Sequence, residues 1–198
     1  MLLFAEVITL LFFLLCIAHA VARRGSEGAW FFGALLSLGL VRENFVALYR
    51  YLYEFTPLTL MLGLAPLIGS IIWGYSIYLC VVWVEGITGE ALSAQWPSAR
   101  FLGLASLFMA SLACFYEPFL QLIGMARWQP GTWFVLGVPP IALVGYSSLA
   151  VFFLLAWSWV LRKDKKGMNR AALLAATLLP IALGHAAGLQ ILKNWLGW

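Results

Sequence analysis

The sequence predicts an all-α fold, a polytopic membrane bundle of about six transmembrane helices with a parallel internal repeat, as a single integral membrane domain over residues 1–198. Composition points there first. Of the 198 residues 64% are hydrophobic and 10% charged, against roughly a quarter charged in ordinary soluble domains. A soluble protein of this size could not cover its surface with so few charges. Second, apolar stretches of about 20 residues, each long enough to cross a hydrocarbon core, recur along the whole chain. Third, the charges gather at the ends of those stretches, as in Arg23-Arg24 and Arg162-Lys163-Asp164-Lys165-Lys166, where they determine topology. The net charge of +4 therefore reports orientation and excludes a nucleic-acid surface.

Hydropathy predicts helices over 2–21, 28–52, 57–84, 101–124, 132–161 and 171–192. The first has the apolar core of a signal peptide but no basic residues before it, and the Arg pair follows it, so it reads as a retained helix. The second is interrupted by Arg42, Glu43 and Asn44, and Pro57, Pro97 and Pro130 punctuate the connections. Arg23, Arg24, Arg100, Arg162, Lys163, Lys165, Lys166 and Arg170 follow helices one, three and five, whereas Arg42, Arg50, Arg127 and Lys193 lie on the other side. The excess places the first set in the cytoplasm, with both termini outside a prokaryotic inner (plasma) membrane.

A shift of 74 positions superposes Arg42-Glu43-Asn44-Phe45 on Tyr116-Glu117-Pro118-Phe119, Leu62-Gly63 on Leu136-Gly137 and Pro66-Leu67 on Pro140-Ile141. With three residues removed from the first copy, Gly74-Tyr75-Ser76 falls on Gly145-Tyr146-Ser147. An even number of helices separates equivalent points, so the copies, about 28–84 and 101–161, share one orientation, a parallel repeat of the kind found in some transporters.

Several chemistries are excluded. Cys16, Cys80 and Cys114 lie in apolar segments without a C-x-x-C pair, which excludes a disulfide framework or a zinc site. His19 and His185 form no H-x-x-x-H or H-x-x-H-H array, and there is no phosphate-cradling glycine loop and no serine nucleophile motif. No cofactor is expected.

Ionisable groups inside spans are costly and point to function. Glu43 and Glu117 hold equivalent places in the repeat. Arg50, seven residues after Glu43, shares its face if the helix continues. Arg127 and Trp128 follow Glu117, Glu6 joins the same outer layer, and Asn44, Tyr49, Tyr51, Tyr53, Tyr116 and Gln129 complete an acidic, basic and phenolic cluster. Pro118 disfavours a helical conformation at Glu117 and predicts a helix break there. The bland alternative is that Glu–Arg pairs hold the bundle together while Tyr and Trp anchor it at the interface. Glu85 and Glu90 end helix three on the cytoplasmic side, and His185 reads as a hydrogen-bonded packing element.

Glu117-Pro118, Gly124-Met125-Ala126-Arg127-Trp128, Trp133-Phe134, Gly137-Val138-Pro139 and Gly145-Tyr146 form a series that resembles a signature of the carotenoid biosynthesis membrane proteins, the bisanhydrobacterioruberin hydratases among them. Glu43, the tyrosines from Tyr49 to Tyr53, Pro66-Leu67, Trp73 and Tyr78 follow a similar order in the first half, and Glu85-Gly86 falls at a further acidic position of the family. The sequence departs from the pattern at Glu117, where the family carries Asp, at Ala113, and at Ala142-Leu143, where an Asn-Phe pair is missing.

The resemblance implies a hydratase that adds water to a terminal double bond of an acyclic carotenoid. Such chemistry needs an acid able to protonate an alkene, and a carboxyl in an apolar cavity keeps its proton near neutral pH. On this reading Glu117 is the proton donor, Glu43 its partner and Glu85 a further acid. Trp73, Trp128 and Trp133 form cavity walls whose faces stabilise a carbocation, Tyr78 joins the substrate contacts, and Arg50 or Arg127 biases which acid stays charged. The expected partner is a long isoprenoid lipid reaching the site sideways from the membrane. Two other classes fit the composition: a non-catalytic carotenoid- or lipid-binding subunit, as a homo-oligomer or within a membrane complex, and a small proton-coupled transporter.

Overall fold

A computed structural model of the chain describes residues 2–56, 60–93, 95–163 and 167–197, without the side chains of Leu2 and of residues 167–169. Pro57, Asp164, Lys165 and Lys166, named above, lie outside the described residues. Among the described residues six helices carry the fold: α1 (Leu2–Arg24), α2 (Ser26–Tyr49), α3 (Leu67–Thr88), α4 (Ala99–Leu122), α5 (Pro140–Lys163) and α6 (Gly167–Leu196). All six are long and apolar enough to cross a membrane, and the protein is a multi-pass membrane protein.

Local chemistry explains most boundaries. Arg23 and Arg24 occupy the last turn of α1, where cations complement the helix dipole. The α4 N-terminus is capped by Ser98, whose Oγ accepts the Phe101 N–H at 3.0 Å. Gly89 ends α3 in the left-handed region, φ 70°, where a glycine carries no Cβ penalty.

Five helices close into a ring, since α2 packs on α3, α3 on α4, α4 on α5, α5 on α6, and α6 back on α2. Outside the ring, α1 leans on α2 and α3. Gly39 lets α2 approach α3 closely, because a Cβ there would lie 2.9 Å from the Ser70 Cα. The interior is filled by Phe31, Phe153, Trp157, Leu35, Leu38, Ile77, Met109 and Leu149. Phe31 meets Phe153 and Trp157 edge-on, with ring centroids at 5.3 and 5.1 Å, a favoured aromatic geometry.

One end of the ring is capped by two long connections. In the first, β1 (Tyr53–Phe55) is followed by a hairpin of β2 (Met61–Leu62) and β3 (Ala65–Pro66), turning at Gly63, φ 77°. In the second, β4 (Ala126–Trp128) is followed by a tight turn closed by Val135 and Val138. β1 and β4 pair antiparallel, with Tyr53 opposite Trp128, Glu54 opposite Arg127 and Phe55 opposite Ala126. Asn44 pins the first hairpin to α2 through Leu62 O and Leu64 N, and Gln121 pins the second turn to α4 through Gly137 O. Boundaries recur between the connections: Tyr49 and Leu122, Tyr53 and Ala126, and Leu67 and Pro140 are each 73 positions apart.

These connections correct the predicted helix starts at 57 and 132. Leu60, Leu62, Leu64, Val135 and Leu136 are apolar and exposed, and hydropathy cannot separate such residues from a span. Pro66 and Pro140 fix where α3 and α5 begin, because proline suits a first helical turn and not a helix interior. Likewise α2 stops at Tyr49 and not at 52, since Arg50 (φ 51°) and Leu52 (φ 62°) are left-handed. Glu6 near the start of α1 accepts the Leu60 N–H, and Gln190 of α6 accepts the Leu52 N–H. The start of α1 and the last turns of α6 therefore lie on the capped side.

Candidate functional site

Inside the ring, beneath the β1–β4 ladder, is a cavity to which five helices contribute: Arg42 and Glu43 from α2, Trp73 from α3, Glu117 from α4, Tyr146 from α5 and Leu189 from α6. Tyr53 and Trp128 reach it from the strands. The space open to the centre of a water-sized molecule is about 50 Å³. One water needs roughly 10–15 Å³ by that measure, so the cavity admits a few.

Glu43 is 1% exposed and surrounded by donors. Its Oε1 accepts from Arg42 Nη1 and from Trp73 Nε1 at 2.6 Å, and its Oε2 accepts the Tyr53 hydroxyl at 2.7 Å. The same Arg42 nitrogen reaches the Tyr53 oxygen at 2.8 Å, Arg42 Nε donates to His185 Nδ1 at 3.4 Å, and the guanidinium lies 5.0 Å above the Trp73 ring. A buried ion pair persists only when its remaining polar atoms are satisfied in this way. Burial and the neighbouring carboxylate raise Tyr53 well above the ordinary phenol range, outweighing Arg42. It is a neutral donor to Glu43.

Glu117, 6% exposed, faces the same cavity with a different set of partners. Its Oε2 accepts the Trp128 Nε1–H at 2.7 Å, and Tyr146 lines the same cavity. Among the described residues no cation pairs with it directly. Aromatic contacts join the two carboxyl sites. The Trp73 and Tyr146 ring centroids are 4.6 Å apart, and those of Tyr53 and Trp128 are 5.2 Å apart.

Of the residues singled out in the sequence, Glu43, Glu117, Trp73 and Trp128 meet in this cavity, joined by Tyr53 of the phenolic cluster. Arg50, Arg127, Trp133, Tyr78 and Glu85 do not. The αL turn at Arg50 ends α2, so Arg50 is exposed and off the face of Glu43. Arg127 points from the outer face of β4, and Trp133 is 53% exposed on the second connection. Tyr78 is packed between α1 and α2, with its hydroxyl 2.6 Å from His19 Nδ1 and its ring against Phe32. Glu85 sits at the uncapped end, bound by Arg23 at 3.2 Å, by Arg24, and by the Leu92 N–H at 2.7 Å. It pins helix ends and is remote from the cavity. No break occurs at Glu117 either, since α4 continues through Pro118 to Leu122.

Sequence reasoning left Arg42, Tyr146 and His185 out of the site. Arg42 was legible as an arginine inside an apolar stretch, which is rare without a buried partner. Tyr146 was named only as part of Gly145-Tyr146 in the repeat and in the family-like series, without a role. His185, read as packing, bridges Arg42 to Ser148 Oγ, 3.0 Å from its Nε2. Among the described residues no group of three or more His, Cys, Asp or Glu side chains could hold a metal ion. No protein family, curated protein or solved structure matches the chain.

Proposed function

We propose that this protein hydrates a terminal carbon–carbon double bond of an acyclic carotenoid or related isoprenoid, within the bilayer. The observation that carries the reading is the convergence of two carboxyls of unlike surroundings, Glu43 with a cation and Glu117 without one, on a single small aromatic cavity. The sequence resemblance to carotenoid hydratases supplies the substrate class.

Glu117, held by Trp128, serves as the acid. Its proton passes to the less substituted alkene carbon, the π pair forms the new C–H bond, and a tertiary carbocation remains. Glu43, ion-paired with Arg42, faces the carbocation from the other side, and the faces of Trp73 and Trp128 stabilise it without solvating it. A cavity water adds through its lone pair, and its surplus proton returns to the Glu117 carboxylate. Alkene plus water gives a tertiary alcohol, with no oxidant or cofactor consumed. Arg42 takes the role expected of Arg50 or Arg127.

The same reading takes the two halves as copies of one unit and sets the capped end at the outer face of a prokaryotic plasma membrane. The test is expression with an acyclic carotenoid supply and mass analysis of the pigments. A product heavier by one water, lost in Glu117→Gln, is expected. Unchanged pigment with the wild-type chain, or full product with the variant, overturns the assignment. Retention of unmodified pigment would mark a binding subunit instead.

A further inference from the structure

The reaction cavity is too small for a polyene, so the bulk of such a substrate must lie elsewhere. On the lipid-facing side of α5 and α6 is a groove of about 450 Å³, lined by Ser148, Phe152, Pro180, Gly184, Gly188 and Leu189, among others. Leu189 lines both this groove and the reaction cavity. Two other wide grooves, one between α2 and α6 and one along α4 and α5, share no residue with the cavity. Size therefore does not single out the α5–α6 groove, but continuity does.

Its construction suits an apolar chain. Gly184 and Gly188 stand one turn apart on a common face, and a Cβ at either would meet nothing within 4 Å. At the inner wall, Leu189 Cδ1 comes within 3.0 Å of where a Gly145 Cβ would be, so this one side chain closes the seam between α5 and α6. The polar groups along the seam are saturated. His185 Nδ1 accepts from Arg42, which leaves Nε2–H to donate to Ser148 Oγ, and Ser148 in turn donates to Val144 O. A hydrocarbon lying there leaves no polar atom without a partner.

We infer that the α5–α6 groove holds the unreacted hydrocarbon tail of the substrate, and that Leu189 is the gate its end displaces to reach Glu43 and Glu117. This rests on the hydratase reading for the identity of the tail, but its own test is binding.

Purified Gly188→Trp and Gly184→Trp proteins, each filling the groove at a different turn, would be compared with wild type and with Gly33→Trp. Gly33 lies in the α2–α6 groove and also has open space around it. Polyene retained per protein is read by visible absorbance, and water adducts of the polyene and of a ten-carbon analogue with the same terminal group are read by mass. Either groove variant should lower polyene retention and conversion at least tenfold while leaving conversion of the short analogue within twofold, and Gly33→Trp should resemble wild type. Should one groove variant not fold, the other decides. Unchanged retention in a folded groove variant, or an equal loss in Gly33→Trp, overturns the groove and indicates ordinary lipid there. A wild type that retains polyene without converting it defeats the hydratase reading alone, and retention still decides the groove. A wild type that neither retains nor converts it overturns both.

Discussion

Glu43 and Glu117 align at a shift of 74 positions, and each accepts one indole N–H, yet the origins of those donors are exchanged. Glu43 takes its indole from a helix, Trp73, and adds a phenol from a strand, Tyr53. Glu117 takes its indole from a strand, Trp128, with Tyr146 of a helix in the wall of the same cavity. The aligned segments also differ at the residue before each carboxyl. Arg42 adds a cation beside Glu43, whereas Tyr116, the residue before Glu117, places a ring 6.4 Å from Tyr146. Two carboxyls in one cavity thus differ in surroundings, one beside a cation and one without a direct cation among the described residues, the asymmetry on which the proposed acid catalysis depends.

The contrast can be broken most strongly at the acid. Glu117→Gln should lower hydration by about 10²–10⁴-fold, the usual worth of a positioned general acid, with little loss of stability; mass-quantified product and unfolding in detergent test the two halves of that statement. Glu43→Gln should instead be chiefly a stability lesion of about 3–5 kcal/mol, because it strands a buried guanidinium. The double variant Arg42→Met with Glu43→Leu should recover most of that stability but not activity, since an apolar pair of similar volume replaces the ions. The indoles sharpen the comparison further. Trp73→Phe removes a donor to an ion-paired carboxyl and should cost about 1.5–3 kcal/mol, whereas Trp128→Phe, facing a carboxyl without a direct cation, should cost about 0.5–1.5 kcal/mol in the same unfolding measurement. The smallest effect belongs to Arg50→Ala and Arg127→Ala, within about 0.5 kcal/mol and without change in product, as for exposed residues generally.

The sequence exposed the spans because bilayer thickness dictates their length, and the repeat drew attention to Glu43 and Glu117 before any geometry was known. What it concealed was non-local. Tyr53 and Trp128 reach their carboxyls only because two connections pair as β1 and β4, and no pattern within either connection specifies that pairing. Arg50 was misjudged because an uninterrupted α2 was assumed, while a left-handed turn at that residue removes it from the helix face. Glu85 resembled the other acids in type, yet the arginines that hold it come from the far end of α1, a contact that depends on how the helices pack.

The β1–β4 ladder also bears on motion. Proteins that carry solutes by alternating access rock one repeat against the other. Here the two connections are laced together by main-chain hydrogen bonds directly over the chamber, so any such rocking must first unzip the lacing. A lock of this kind favours a chamber whose walls stay put while small side chains step aside, which suits a stationary reaction vessel better than a shuttle.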